Sequence, residues 1–365
     1  MKFYKIFLIC LCSTIFVSNI NAEETIQPTT PYDQYRLAEY IEWYPAIEQE
    51  RMMNKWLEKN KLGTWSYTGL VGADDKTVIT PQADVNYGYN WFNISDGPIV
   101  IELPAYKLYS SISIFDMDHY VEDVIVNPSK PIVVRLANQQ SPVEDAYEVV
   151  LSTNKGLALL RMVIPVAKDE KEVVDLAKSA KTKGGDGTED FIIPDFTEKE
   201  RENALKVVKS YAMKVKEANK LFGKRSQGVG NMDRASGVFL GQLGIPAKFV
   251  QYKQYVQTED GKPLGKDGSY EITIDAKGLM RDEKGYWSIT VYNMEDRYLI
   301  ENDKNIYSIT SYTTKPNKDG SFTVRINPTG EGENAIPTMN KSIYAIMRVY
   351  QPNGVIKFPS IKTVK

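Results

Sequence analysis

The spacing of apolar residues changes along the chain, and with it the expected secondary structure. Tyr35, Ala38, Ile41 and Trp43, then Ile47, Met52 and Trp56, recur at helical spacing. They predict two helical pieces broken or kinked at Pro45, because proline lacks an N–H and clashes with the preceding turn. From 64 to 150, short apolar runs alternate with Gly, Pro and Asp. Strands are expected at 98–103, 109–115 and 132–136, and a buried strand at 157–166. A charged helix over 168–183 would carry Val173, Leu176, Ala177 and Ala180 on one face, followed by a flexible break at Gly184, Gly185 and Gly187. Thr197 and Glu200 form a capping box opening a longer helix with Leu205, Val208, Ala212, Val215 and Phe222.

From 249 onwards the period is two, and half-buried antiparallel strands are expected at 271–274, 287–292, 321–326 and 343–350. Asp260-Gly261, Asp267-Gly268, Asp319-Gly320 and Asn353-Gly354 supply turns. The chain therefore reads as mainly β with helical insertions. An N-terminal β-rich domain with leading helices, barrel-like or sandwich, spans 23–166. A helical linker region spans 167–245, and a C-terminal antiparallel jelly-roll-like β-sandwich spans 246–365.

Residues 1–22 have the layout of a signal peptide: basic Lys2 and Lys5, an apolar stretch over 6–17 and small Ala22 before the expected cut. The stretch falls short of the about 20 apolar residues that span a bilayer, and no later run is long enough. Cys10 and Cys12, the only cysteines, both lie in this leader. A cysteine-free periplasmic or secreted product is expected, which excludes thiol catalysis, disulfides and Cys-ligated zinc. The balance of 45 Lys and Arg against 47 Asp and Glu argues against a nucleic-acid partner.

His119 is the single histidine and sits in Asp116-Met117-Asp118-His119-Tyr120. Asp116 and Asp118 share one side of a continuing strand, as a carboxylate metal site would require. One histidine cannot complete a His-rich zinc site, so an acidic loop is the favoured reading, with no metal and no cofactor expected. The segment Pro81-Gln82-Ala83-Asp84-Val85-Asn86-Tyr87-Gly88-Tyr89-Asn90-Trp91 is dense in polar and aromatic groups. Either Asp84 and Tyr87 line a pocket in which burial raises the carboxyl pKa, or Asp84 caps backbone amides while Tyr87, Tyr89 and Trp91 fill the core. The second is the expectation. Arg161 and Arg348 lie inside apolar strand runs, where arginine either pairs with a carboxylate or faces a polar cavity; a structural ion pair is expected.

Tyr286-Trp287-Ser288-Ile289-Thr290-Val291-Tyr292 resembles the Phe-Trp-Ser-Leu-Thr-hydrophobic-Tyr signature of a tandem pair of domains of unknown function, catalogued under the numbers twelve-fifty-four (N-terminal) and twelve-fourteen (C-terminal). Asp260-Gly261-Lys262-Pro263-Leu264, Asp319-Gly320-Ser321 and Arg348-Val349-Tyr350-Gln351-Pro352 follow in the expected order, while Ile306 and Ala335 replace an arginine and a tryptophan. In the N-terminal half, Asp84 and Tyr87 match a Pro-Asn-x-Asp-Thr-x-Tyr motif from which Gln82 and Val85 depart, and Asp116 and Arg161 also fit. The resemblance implies two β-rich domains in an exported bacterial-type protein, and implies no activity.

The expected function is binding of a small molecule, glycan or protein partner, with Asp84, Tyr87, Asp116, Arg161 and Arg348 as candidate ligand contacts. The alternative is a small-molecule enzyme of hydrolase or lyase type, using carboxylate acid–base chemistry in the N-terminal domain. Exposed sandwich edges leave a homo-oligomer open.

Overall fold

The computed structural model describes residues 30–76, 80–215 and 220–364; the expected signal peptide lies outside them. Four helices occur among the described residues: α1 (Pro31–Leu57), α2 (Glu170–Ala177), α3 (Glu198–Ala212) and α4 (Asn231–Leu240). Thr30 and Asp33 form the capping box of α1, and Pro45 lies inside this helix without dividing it into two pieces. Tyr40, Ile41 and Tyr44 beside the proline pack against Ala204 and Val208 of α3 and Ala235 and Val238 of α4. That burial outweighs the local penalty of roughly 3 kcal/mol for an interior proline. Thr197 and Glu200 cap α3 as expected, but the helix ends at Ala212. No described helix is long and apolar enough to cross a membrane.

The N-terminal strands are β1 (Ser66–Tyr67), β2 (Val85–Asn93), β3 (Ile99–Glu102), β4 (Ser110–Asp116), β5 (Val121–Val126), β6 (Ile132–Leu136), β7 (Tyr147–Leu151), β8 (Lys155–Val163) and β9 (Lys181–Lys183). They form one sheet of order β1-β2-β8-β4-β5 and a second of order β7-β6-β3-β9. Phe92, Ile99, Ile101, Ile112, Ile114 and Val134 make the core between them. The helix expected over 168–183 stops at Ala177, and Lys181–Lys183 pair with β3 instead. Val173 and Ala177 of α2 cover Leu160 and Met162 on the core-facing side of the first sheet, so this segment completes the N-terminal sandwich. The glycines that follow are no loose break. Gly184 is left-handed, a Cβ there would stand 2.6 Å from the Pro98 carbonyl oxygen, and the Gly185 carbonyl accepts from the Asn93 N–H at 2.8 Å.

The C-terminal strands are β10 (Val250–Tyr255), β11 (Ser269–Ile274), β12 (Tyr286–Asn293), β13 (Ser308–Thr310), β14 (Phe322–Asn327), β15 (Ala335–Pro337), β16 (Ile343–Tyr350) and β17 (Ile361–Val364). Sheets of order β10-β16-β12-β13 and β15-β14-β11-β17 enclose Trp287, Ile289, Val291, Ile272, Val324 and Met347 as a sandwich core. Pairing is antiparallel except for β14 with β15. The expected mainly β fold, with a C-terminal sandwich, is what the chain adopts.

The two sandwiches stack. The face of β2-β8-β4 turned away from the N-terminal core contributes Val85, Tyr109, Leu159 and Val163 to one cluster, and the outer face of β10-β16-β12 contributes Val250, Tyr286 and Tyr350 to the same cluster. The molecule thus has four β layers, and the seam between the two inner sheets places the candidate site.

Candidate functional site

Side chains on neighbouring strands at matched register share a face. Tyr87 of β2, Arg161 of β8 and Ser111 of β4 are matched in this way. On the facing sheet, Tyr252 of β10, Arg348 of β16 and Ser288 of β12 are matched in the same sense. Each inner sheet therefore presents tyrosine, arginine and serine across three adjacent strands, with arginine in the middle.

The expected carboxylate partners of the two arginines are absent among the described residues. Arg161 is 6% exposed, donates from Nη1 to Ser113 Oγ at 2.9 Å and from Nη2 to the Leu243 carbonyl at 2.7 Å, and lies over the Tyr87 ring at 5.7 Å. Arg348 is 5% exposed and donates to Thr290 Oγ1 at 3.2 Å and to the Tyr292 hydroxyl at 2.9 Å. Both guanidinium groups face the polar seam because the period of the strand, not its apolar average, decides which side chains point there.

Asp84, 2% exposed, enters at the start of β2. It does not cap backbone amides as expected: neither carboxylate oxygen has a hydrogen-bond partner among the described residues. Burial pushes its carboxyl up to about 6, against the lowering pull of Arg348, Gln82 and Ser288 nearby. The hydroxyls of Tyr109, Ser111 and Ser288 are likewise buried outside hydrogen-bond geometry, with Ser288 close to Asp84 and Ser111 close to Tyr109. Tyr87 is half-buried and Trp91 fully buried in the core, so only part of the expected aromatic filling holds. Tyr252 keeps 37% of its surface accessible. Yet burial raises the phenol pKa of both Tyr87 and Tyr252, with Arg161 and Arg348 pulling the other way. Tyr87 and Tyr252 thus lie at the border of the seam, partly accessible and close to both arginines.

Gln82 ties the two sandwiches together beside these residues. Its Nε2 donates to the Tyr286 hydroxyl at 2.7 Å, and its Oε1 accepts from the Tyr350 hydroxyl at 2.6 Å. The rings of Tyr286 and Tyr350 stack at 4.6 Å with 3° between their planes, and Tyr109 packs on Tyr350 at 5.0 Å. The Tyr292 hydroxyl donates to the Pro81 carbonyl at 2.7 Å. Segment 80–84 thus forms a polar clasp across the domain boundary.

Asp116 does not join this group. It ends β4 with its side chain on the opposite face of the sheet, where Oδ1 accepts from the Tyr120 N–H at 2.8 Å and Oδ2 from Arg225 at 2.7 Å. Arg225 also donates to Asp118, and Arg225 and Arg234 both stack on the Tyr120 ring, at 4.3 and 4.5 Å. Burial and the Asp118 carboxylate push Asp116 up to about 7. No cluster suited to a metal ion occurs among the described residues. His119 sits in the β4–β5 turn with φ of 64°, and its Nε2 accepts from the Leu243 N–H at 3.1 Å, so the ring is neutral and burial lowers its pKa to about 3. Leu243, also left-handed at φ 62°, connects this turn to Arg161 through its carbonyl.

Tyr252, Ser111, Ser288 and Gln82 were not singled out as site candidates by the sequence. The available signal lay in β12, where Ser288 and Thr290 alternate with Trp287, Ile289 and Val291 in a strand buried on both sides. Two open surface grooves, about 630 Å³ beside Trp65 and Tyr67 and about 520 Å³ beside Asp74 and Asp303, are lined by none of the candidate residues.

Two stacked sandwiches with a polar seam between them define the class, a two-domain β protein. Residues 60–183 match the protein of unknown function DUF1254 and residues 250–354 the protein of unknown function DUF1214, so the chain carries these two domains in tandem. The crystal structure of the VPA0106 protein from Vibrio parahaemolyticus is similar at a TM-score of 0.71 and 18% identity, covering 91% of this chain and 100% of that one. An uncharacterized protein from Burkholderia cenocepacia is similar at a TM-score of 0.53 and 12% identity, covering 94% of this chain and 92% of that one. Both likenesses concern the fold. No curated protein matches the sequence.

Proposed function

We propose that this chain binds a small molecule in the cleft between its two inner sheets, as a periplasmic or secreted binding protein. One observation carries the reading: Asp84 is buried with both oxygens unpartnered, in the same seam as two buried arginines that lack carboxylate partners. Such groups lower stability, and well-packed apolar residues would serve a purely structural seam better. Polar groups left unsatisfied on both facing sheets are what a ligand would satisfy. A site buried between two facing sheets favours a small molecule over a folded protein partner.

Thermal-shift screening of wild type, Asp84→Asn and Tyr252→Ala against metabolite and glycan libraries tests this reading. Compounds whose stabilisation changes in both variants support it; identical shifts in all three proteins for every compound would remove the cleft from any binding role. A second reading, acid–base catalysis, rests on Asp84 being pushed up to about 6 beside protonated tyrosines. It requires Asp84→Asn to abolish turnover of a bound compound while leaving its binding intact.

A further inference from the structure

We infer that the ligand carries an oxyanion, a carboxylate or phosphate group, and that this group seats between Arg161 of the N-terminal sheet and Arg348 of the C-terminal sheet. The inference rests on the binding reading above and narrows it to a ligand class. Both arginines spend their described hydrogen bonds on neutral oxygens: Ser113 and the Leu243 carbonyl for Arg161, Thr290, Tyr292 and the Thr80 carbonyl for Arg348. A guanidinium offers more N–H donors than these contacts use, and its planar fork matches a carboxylate or phosphate better than any neutral group. Among the described residues, Asp84 is the carboxylate that acts on Tyr87 together with Arg161 and Arg348, so two fixed positive charges face one negative charge there. The tyrosine and serine flanking each arginine add hydroxyl donors, and those of Ser111 and Ser288 are unpartnered. A cationic ligand would meet surplus positive charge, and a neutral one would leave both guanidinium groups without a counter-charge.

The arrangement also assigns His119 a positioning role. The Leu243 peptide donates its N–H to His119 Nε2 and accepts from Arg161 through its carbonyl, so the histidine holds the peptide that aims the arginine.

The test is thermal denaturation of the full chain at constant ionic strength, with sodium phosphate, sodium benzoate and uncharged glucose as probes against chloride. Phosphate or benzoate should raise the wild-type midpoint by roughly 2–4 °C at ten times its half-saturating concentration. Glucose should not. Arg161→Met and Arg348→Met should each lose most of that shift. Asp84→Asn, which needs no repacking, should strengthen it and lower the half-saturating concentration several-fold, since the opposing charge is gone. Asp84→Asn also covers the case in which the arginine variants do not fold. His119→Gln should weaken binding without changing which anion is preferred. An anion shift of equal size and concentration dependence in wild type, Arg161→Met and Asp84→Asn would overturn the inference as a bulk salt effect. Stabilisation by glucose or other uncharged compounds that disappears in Tyr252→Ala, with no response to anions, would overturn the oxyanion while leaving the cleft reading in place.

Discussion

Asp84 and Asp116 are buried aspartates in the same domain, and burial pushes both carboxyls up, to about 6 and about 7. Their surroundings differ completely. Both oxygens of Asp116 accept hydrogen bonds, from Tyr120 and Arg225. Neither oxygen of Asp84 does. Asp116 ties the β4–β5 turn to the segment before α4, and its environment is finished within the protein. Asp84 faces the seam between the sandwiches with Arg348 near but not bonded. The lesson is that a raised pKa marks burial in both cases, and only the fate of the oxygen atoms separates a structural carboxylate from a candidate functional one.

The sharpest way to break this contrast is to remove the partners of the finished site. Arg225→Ala leaves Asp116 buried beside Asp118 without its guanidinium, and should cost roughly 3 kcal/mol in urea unfolding at pH 8. A change close to zero would make the Asp116 cluster a surface ornament. Asp84→Asn should do the opposite, stabilising the protein by up to about 3 kcal/mol at pH 8. The sign follows from the raised folded pKa: stability is present in full below the unfolded value of 3.8 and is lost as pH rises through about 6. The gain from asparagine should therefore vanish near pH 4.

His119 titrates in the reverse sense. Its folded pKa is lowered from 6.5 to about 3, so the wild type loses stability as pH falls through that window. His119→Gln should retain about 3 kcal/mol at pH 4 that the wild type has lost, relative to each protein at pH 7. An unchanged acid limb in circular dichroism would mean that the ring is solvated. Smallest of all, Tyr252→Phe should change stability by less than about 0.5 kcal/mol, as partly exposed positions do. Its effect belongs in ligand binding, where a tyrosine hydroxyl is lost.

The strands were legible because polar and apolar residues alternate in β11 and β12 and short apolar runs mark β6 and β16, whose positions lie close to the expected ones. The capping box at Thr197 was legible for the same local reason. Pro45 misled because helix propensity is local and the packing of α1 on α3 and α4 is not. The segment 181–183 misled because a short edge strand has too few residues to display a period. Asp84, Tyr87, Arg161 and Arg348 stood out as polar groups in apolar surroundings, which is a local property. That they share one seam, and that Asp116 does not, depends on sheet order and on two sandwiches stacking face to face, neither of which is written in any window of sequence. The expectation that each arginine pairs with a carboxylate failed because Asp84, whose charge acts on Arg348, forms no salt bridge with it, and Arg161 spends its hydrogen bonds on Ser113 and the Leu243 carbonyl.

The measurement closest to the central claim is an NMR titration of the Asp84 side-chain carbon in the folded, ligand-free protein, assigned by its loss in Asp84→Asn. A midpoint near 6 is the predicted result for a carboxyl whose burial outweighs the pull of Arg348, Gln82 and Ser288. A midpoint at or below the ordinary 3.8 would show that the protein itself satisfies this carboxylate, and the cleft would then be a finished structural seam like the one around Asp116.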